Sequence, residues 1–309
     1  MIIGFLGTLI GLERAVAVNR IGFYGIPVFS ALSVVAAIGA PNIAAMLASA
    51  ASLLLAVLFL VLYRQYPSEH FIIMALSALC WLGGSLVWLA QPHLFLVVPW
   101  WAAFLVLMIA GERLELSRIR RPPPKVRLVF HVFVVVILFG LVHPLLPFDW
   151  GIRIAGVGLW GLAAWLLRYD LVWHNLRQGP LPRFMAQCLI AGYLWLMAGG
   201  ILWLVFAPSF SAGPFYDAML HVIFLGFVVS MIFAHAPIIL PTITGLALPF
   251  QRAFYAHVVL LHLSLLVRVG GDLAALSSLQ EWGGALNALA IVLFLLNNIR
   301  AVRLGLANP

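Results

Sequence analysis

The chain has 309 residues, of which 65% are hydrophobic and only 8% are charged. A water-soluble domain of this length cannot bury so large an apolar fraction, so the composition excludes a soluble globular protein and predicts an all-α, polytopic membrane protein. We attribute the net charge of +8 to arginines in cytoplasmic loops rather than to a nucleic-acid partner. The expected partner is therefore a lipid bilayer, with no nucleic acid.

Eleven apolar segments are long enough to be transmembrane helices, which need roughly 20 residues to cross the hydrocarbon layer. Turn-forming stretches such as QYPSE, RRPPPK and QGPLP separate them. Together they predict one integral membrane domain over residues 1–309. The predicted spans are residues 1–18, 23–39, 42–63, 70–90, 94–112, 128–146, 151–167, 184–206, 216–240, 253–270 and 281–299.

The basic residues predict the orientation of these spans. If the basic, proline-rich loop 113–127 is cytoplasmic and the spans alternate, only Arg153 and Arg268 of the 17 Lys and Arg residues fall outside. The C-terminus is then cytoplasmic, in a membrane of the bacterial inner-membrane type. Met1 would lie outside and already within a helix. We therefore expect either a natural chain that begins earlier, with twelve spans and both ends inside, or a re-oriented first helix.

A similar sequence pattern recurs every four spans. The first span, GFLGTLIGLERAVAV, aligns with GFVVSMIFAHAPI in the ninth, which places Glu13 opposite His235. The fifth span ends in GERLELSR, so that Glu112 and Arg113 match Glu13 and Arg14. This pattern predicts a pseudo-threefold repeat of four-helix units.

Ionisable side chains inside a bilayer are costly and usually mark function. The glutamates and arginines near the predicted inner helix ends are interpreted as a proton relay, as groups that hold haem propionates, or as anchors at the lipid headgroups. Of the histidines, His262 lies at about mid-depth, whereas His221 and His143 lie at the outer side. The predicted inner layer comprises Glu13, Arg14, Glu112, Arg113, His131, His235 and His257.

His221 and His235 lie in one predicted span, at opposite ends of one face. Because their fourteen-residue separation corresponds to about 21 Å of helix, they cannot bind one metal ion together. His221, close to Asp217, is a candidate axial ligand of haem or another metal, or a histidine hydrogen-bonded to a neighbouring helix. His235 precedes Pro237 and is a candidate ligand or proton carrier at a kink, or a cap for freed carbonyls.

His257 and His262 form an H-x4-H pattern, which points the two side chains about 140° apart on a helix. They are candidate ligands of two different sites, or one of them is structural. The other histidines, His70, His93 and His174, are interpreted as interfacial. The sequence contains no Walker A, GxGxxG, HExxH or CxxCH pattern, so a bound haem would be non-covalent.

Two runs, LHVIFLGFVVSMIFAHAPIILP and AFYAHVVLLHLSLLVRV, resemble the C-terminal half of the NnrS family. The resemblance implies a twelve-helix inner-membrane protein that contains haem and copper and takes part in the response to nitric oxide. His221, Gly226, His235 and Arg268 occupy places comparable to the family's pattern. The sequence departs from that pattern where His-Ala-Pro-Ile, beginning at His235, replaces an HTGR-like turn.

Three functions remain open. The first is a haem- or copper-binding protein with a role in nitric oxide or metal stress or in electron transfer, together with a redox partner or respiratory complex. Its metal ligands would come from His221, His235 and His257, with His131 and His262 as further cofactor ligands. The second is a proton-coupled transporter of a small solute that uses the inner glutamates and histidines. The third is an assembly factor of a respiratory complex without a cofactor.

Overall fold

A computed structural model describes residues 2–120, 122–142 and 146–307. These residues are almost entirely helical and contain no strand, which confirms the predicted all-α fold. His143, one of the two histidines predicted at the outer side, lies outside the described residues. The helices are α1 Ile2–Val18, α2 Gly25–Ala36, α3 Pro41–Gln65, α4 Glu69–Ala90, α5 Leu94–Ser117, α6 Pro124–Gly140, α7 Phe148–Tyr169, α8 Val172–Asn175, α9 Pro180–Phe206, α10 Pro214–His221, α11 Ser230–Thr244, α12 Phe254–Leu273 and α13 Ser277–Ala307.

Each of the eleven predicted spans overlaps a helix of the described residues. Within the described ranges, eight helices are long and apolar enough to cross a membrane. The helices at the remaining three spans, α1, α2 and α6, have 17, 12 and 17 residues. Because α5 continues to Ser117 and α6 begins at Pro124, the connection between them is shorter than the predicted loop 113–127. The threefold repeat stays a prediction.

The chain divides into two compact units, and the first comprises Met1–Leu116. In this unit α1, α2, α3 and α4 pack each on the next. Small residues let the helices approach closely: Ala44 and Ala48 are buried on one face of α3. A Cβ atom at Gly7 of α1 would lie 2.4 Å from Trp81 Cη2, so only glycine leaves room for that ring. Close approach through small residues is the usual way in which membrane helices associate.

The second unit comprises Ser117–Pro309. In this unit α7 packs on both α6 and α9, and α12 packs along α13. The backbones of α7 and α9 touch, because a Cβ atom at Gly156 would lie 2.7 Å from Gly200 O. The α12–α13 contact is partly polar, since Ser264 Oγ donates a buried hydrogen bond of 2.6 Å to Asn287 Oδ1.

One apolar segment, Pro214–Thr244, has 31 residues and an irregular interior. The regular helix α10 ends at His221, a π-helix follows over Val222–Val229, and α11 completes the segment. A π-helical stretch changes which side chains share a face, because its turns are wider than those of an α-helix. Pro237 and Pro241 lie inside α11, and each lacks the N–H group that an α-helix uses.

Candidate functional site

Three of the predicted histidines form the same local hydrogen bond. In His131, His221 and His235, ring Nδ1 lies 2.7, 2.8 and 2.7 Å from the carbonyl oxygen four residues earlier. A carbonyl can only accept, so Nδ1 carries the hydrogen and the neutral ring keeps its lone pair on Nε2. This is the tautomer in which a histidine binds a metal through Nε2.

His257 and His262 have the opposite tautomer. Asn297 donates through Nδ2 to His257 Nδ1 and to Ala253 O, both at 3.0 Å. Trp195 Nε1 donates to His262 Nδ1, also at 3.0 Å. Each Nδ1 accepts a hydrogen bond, so the neutral ring carries its hydrogen on Nε2 and neither nitrogen offers a lone pair to a metal. His257 contacts α13 and His262 contacts α9, so the two histidines belong to different sites.

His257 is enclosed by aromatic rings. The residue is 1% exposed. The ring centroids of Phe233, Phe294 and Phe254 lie 4.7, 5.3 and 5.8 Å from the imidazole centroid. These rings occupy the space that a flat cofactor would need beside the imidazole. The surroundings of His257 therefore favour a packing role.

Asp217, His221, Arg268 and Asp272 meet in one group, which we call the Asp217 cluster. A ring nitrogen of His221 and one oxygen atom from each carboxylate lie within 4.8 Å of one another. Arg268 donates to Asp217 Oδ2 through Nη2 at 2.5 Å and through Nε at 3.0 Å. His221 Nδ1, which carries the ring hydrogen, lies 3.4 Å from Asp217 Oδ1, so a metal ion would bind the other ring nitrogen, Nε2. The structure thus joins one predicted ligand, His221, to two carboxylates.

With both carboxyl groups ionised and His221 neutral, the charges of the Asp217 cluster do not balance. Arg268 Nε lies 3.8 Å from Asp272 Oδ2, which is too far for a hydrogen bond. Asp272 Oδ2 is buried and has no hydrogen-bond donor among the described residues. Asp272 also lies in the last turn of α12, where the helix dipole disfavours an anion. Two carboxylates therefore face one guanidinium, which leaves one negative charge over.

Three helix ends position these side chains. Asp217 lies in the first turn of α10, and Asp272 in the last turn of α12. The start of α13 supplies Gln280, whose carbonyl oxygen accepts a hydrogen bond of 3.1 Å from Arg268 Nη1. A Cβ atom at Gly284 would lie 2.4 Å from Arg268 Nη1. Glycine at this position therefore leaves the space that the guanidinium occupies.

The π-helix begins directly after His221 and packs against α9. A Cβ atom at Gly226, inside the π-helix, would lie 2.5 Å from Trp195 Cγ. The same indole donates its N–H to His262, so the π-helix, α9 and α12 meet at Trp195. π-helical turns inside α-helices occur frequently at functional sites.

The donors of the Asp217 cluster suit a divalent cation. Imidazole binds Zn²⁺, Cu²⁺ and Fe²⁺, and carboxylates add affinity for Mn²⁺. Zinc–ligand distances of about 2.0–2.2 Å require the three donor atoms to approach one another further by side-chain rotation. Three protein donors leave at least one coordination position open, as in catalytic rather than structural zinc sites.

A second group of charges lies in the first unit. Arg14 Nη2 donates to Glu112 Oε1 at 2.5 Å, and Arg14 Nε lies 3.9 Å from Glu13 Oε2. Arg113, next to Glu112 on α5, is buried, with 7% of its surface exposed. The two Glu-Arg motifs singled out in the sequence are therefore joined across α1 and α5.

Sequence reasoning missed two residues of the Asp217 cluster and one buried histidine of the first unit. Asp272 has no predicted role, and Arg268 is predicted to lie on the outer side and to match the NnrS-like pattern, without a predicted contact with His221. His70 is interpreted from the sequence as interfacial, yet His70 is 3% exposed and its Nε2 lies 3.6 Å from Glu115 Oε2. One signal for the cluster was present in the sequence, because the distribution of basic residues predicts Arg268 on the outer side, where His221 is also predicted.

The fold defines the class of protein. It is all-α, and eight helices within the described residues are long and apolar enough to cross a membrane. To this class the second unit adds a histidine–carboxylate cluster. Residues 1–303 match the family model described as Domain of unknown function (DUF8744), and the chain belongs to this family. A search of curated proteins and a search of solved structures found no match.

Proposed function

We propose that this protein is a multi-pass inner-membrane protein that binds a divalent metal cation through Asp217, His221 and Asp272. The unbalanced charge of the Asp217 cluster carries the proposal. A buried carboxylate oxygen without a hydrogen-bond donor costs about 1–3 kcal/mol, and a cation between the three donors removes that cost. We place the C-terminus in the cytoplasm, because Arg153 and Arg268 are then the only basic residues outside.

The resemblance to the NnrS family implies haem and copper, and the donors of the cluster favour copper as Cu²⁺. Imidazole and carboxylate ligands suit Cu²⁺, whereas Cu⁺ prefers thiolates and thioethers. Both cysteines, Cys80 and Cys188, are buried in α4 and α9 and do not belong to the cluster. A site of this kind would serve in nitric oxide or metal stress, or in electron transfer with a redox partner or respiratory complex.

Haem fits three of the candidate histidines, His221, His257 and His262, less well. An axial ligand needs a lone pair and an open face for the porphyrin. His257 has neither, His262 accepts the Trp195 hydrogen bond, and the His221 ring is flanked by carboxylates. His131 and His235 keep a lone pair on Nε2 and are not disfavoured as haem ligands on this ground. Our proposal concerns the metal site of the Asp217 cluster alone.

Proton-coupled transport of a small solute is a second candidate, favoured by the ionic group of the first unit. The carboxylates of Glu13 and Glu112 lie beside the Arg14 guanidinium. Carboxylates inside a membrane protein are typical proton carriers. The same reasoning allows a proton shared by Asp217 and Asp272 in place of a metal ion.

Titration of the purified full-length protein with Mn²⁺, Zn²⁺ and Cu²⁺ tests the proposal. We expect one cation per chain to bind. His221→Ala should weaken metal binding at least tenfold, because even the loss of a residue that only hydrogen-bonds to a metal ligand weakens binding by about tenfold or more. His93→Ala is the matched control, because His93 is exposed and outside the cluster. We expect this control to bind as the wild type does.

Two results would contradict the metal proposal. One is the absence of stoichiometric binding of any of the three cations to the wild-type protein. The other is equal loss of affinity in His221→Ala and His93→Ala, which would indicate binding at scattered surface sites. Either result would leave proton coupling as the better interpretation of the unbalanced charge.

A further inference from the structure

A basic cavity lies beside the end of α7. Its volume is about 390 Å³, and it is lined by Ile119, Arg120, Leu171, Trp173, His174 and Arg177. Two chain segments build it: the short 3-10 turn Arg118–Arg120, and the residues that follow α7. The volume lies within the range of about 300–1,000 Å³ that is typical of small-ligand pockets.

Arg120 is held in place at this cavity. Its Nη1 donates a hydrogen bond of 2.9 Å to the carbonyl oxygen of Asp170, which leaves its other N–H groups for a ligand. The Asp170 carboxylate is fully buried and is occupied within the protein. Tyr193 Oη donates to its Oδ2, and the Leu171 N–H donates to its Oδ1. The carboxylate of Asp170 is therefore turned to internal hydrogen bonds and does not line the cavity.

Arg177 and His174 supply further donors. The Arg177 guanidinium is exposed and forms no hydrogen bond or ion pair with the described residues. The Gln178 side-chain amide lies 3.1 Å from His174 Nε2, and if it donates there, Nδ1 keeps its hydrogen. Two guanidinium groups and one imidazole thus present N–H donors to one space, with no carboxylate among its described lining residues.

We propose that this cavity binds the phosphate group of an anionic membrane lipid. Guanidinium groups match phosphate oxygens in pairs, which makes arginine the preferred residue for phosphate recognition. The apolar side chains of Ile119 and Leu171 and the indole of Trp173 line the same cavity, as expected where a lipid's glycerol and acyl chains continue from its headgroup. Basic pockets near the cytoplasmic ends of membrane helices are typical headgroup sites.

Calorimetric titration of the purified full-length protein in detergent tests this proposal with three ligands. They are dihexanoyl phosphatidylglycerol, its zwitterionic phosphatidylcholine analogue, and inorganic phosphate. We expect the anionic lipid to bind most tightly, and Arg177→Ala to weaken it roughly tenfold, as for the loss of a charge-assisted hydrogen bond. Arg303→Ala is the matched control, because Arg303 is exposed and does not line the cavity.

Equal affinity for the anionic and zwitterionic lipids would overturn the proposal, as would equal loss in Arg177→Ala and Arg303→Ala. Binding of inorganic phosphate that depends on Arg177, without binding of the lipid, would keep the phosphate site and overturn its assignment to a lipid. Because Arg177 has no described side-chain partner, Arg177→Ala tests the cavity without removing an internal contact. Arg177→Lys keeps the charge and is expected to bind with intermediate affinity.

Discussion

Asp272 is 1% exposed, and its Oδ2 has no hydrogen-bond donor among the described residues. The Arg268 guanidinium contacts the two carboxylates unequally, since it forms two hydrogen bonds with Asp217 and none with Asp272. A purely structural ion pair needs no second carboxylate at this distance. The position of Asp272 is therefore best explained by a cation or a proton that the cluster takes up.

The variant Asp272→Asn distinguishes a metal site from a purely structural ion pair. We expect the metal-free variant to unfold at a melting temperature no lower than that of the wild type, because the charge of a buried carboxylate without a hydrogen-bond donor is removed. The increase in melting temperature caused by added metal should disappear, because ligand binding stabilises only a protein that binds. Thermal unfolding in detergent, with and without Mn²⁺ or Zn²⁺, measures both effects.

Asp149→Asn is the control for that experiment, because Asp149 lies in the first turn of α7 and outside the cluster. It should keep the metal-dependent increase. A clear loss of stability in metal-free Asp272→Asn would contradict our interpretation, since it would show that the carboxylate stabilises the fold without a cation.

Part of the site could be predicted from single residues. The sequence places His221 near Asp217 and places Arg268 at the same end, because these inferences need only helix spacing and the distribution of basic residues. It could not bring Asp272 to them, because that contact depends on how α10 packs against α12. Nor could it sort the five candidate histidines, because their tautomers depend on partners such as Asn297 and Trp195 on other helices.

The segment Pro214–Thr244 shows a similar limit for whole helices. Its length and its prolines are visible in the sequence, whereas the π-helix over Val222–Val229 has no signal in a uniformly apolar run. The packing of Gly226 against Trp195 accompanies the irregular turns, and such packing is a tertiary contact. Because the π-helix starts where His221 ends α10, a change in it should reach the Asp217 cluster.

Gly226→Ala tests this coupling. The added methyl group would lie 2.5 Å from Trp195 Cγ, so the indole or the helix must move. We expect overpacking to destabilise the protein by about 1–3 kcal/mol. We also expect weaker metal binding, because His221 adjoins the displaced turn. Thermal unfolding and metal titration of one preparation measure both.

Gly270→Ala is the matched helical control, because a Cβ atom there meets no atom within 4 Å. It should leave the melting temperature unchanged or raise it slightly, as alanine is the better helix former. If Gly226→Ala lowers stability but leaves metal affinity unchanged, the π-helix does not position His221.

Over the whole chain, hydropathy locates the helices better than it locates their ends. Helices α3, α6, α9 and α10 begin with a proline at their first positions, at Pro41, Pro124, Pro180 and Pro214. The predicted spans begin one to four residues later, because hydropathy does not register a proline that suits the first turn of a helix. The division at Leu116 falls inside the predicted loop 113–127, but its exact position has no sequence signal, since α5 continues to Ser117.

Pulsed electron paramagnetic resonance of the full-length protein, loaded with one equivalent of Cu²⁺ in lipid nanodiscs, decides whether His221 helps to hold a cation. A copper-bound imidazole produces a characteristic modulation from its remote nitrogen. We expect modulation from a single imidazole in the wild type and in His93→Ala, and its loss in His221→Ala. A copper signal without imidazole modulation, or modulation unchanged by His221→Ala, would contradict the metal site at the Asp217 cluster.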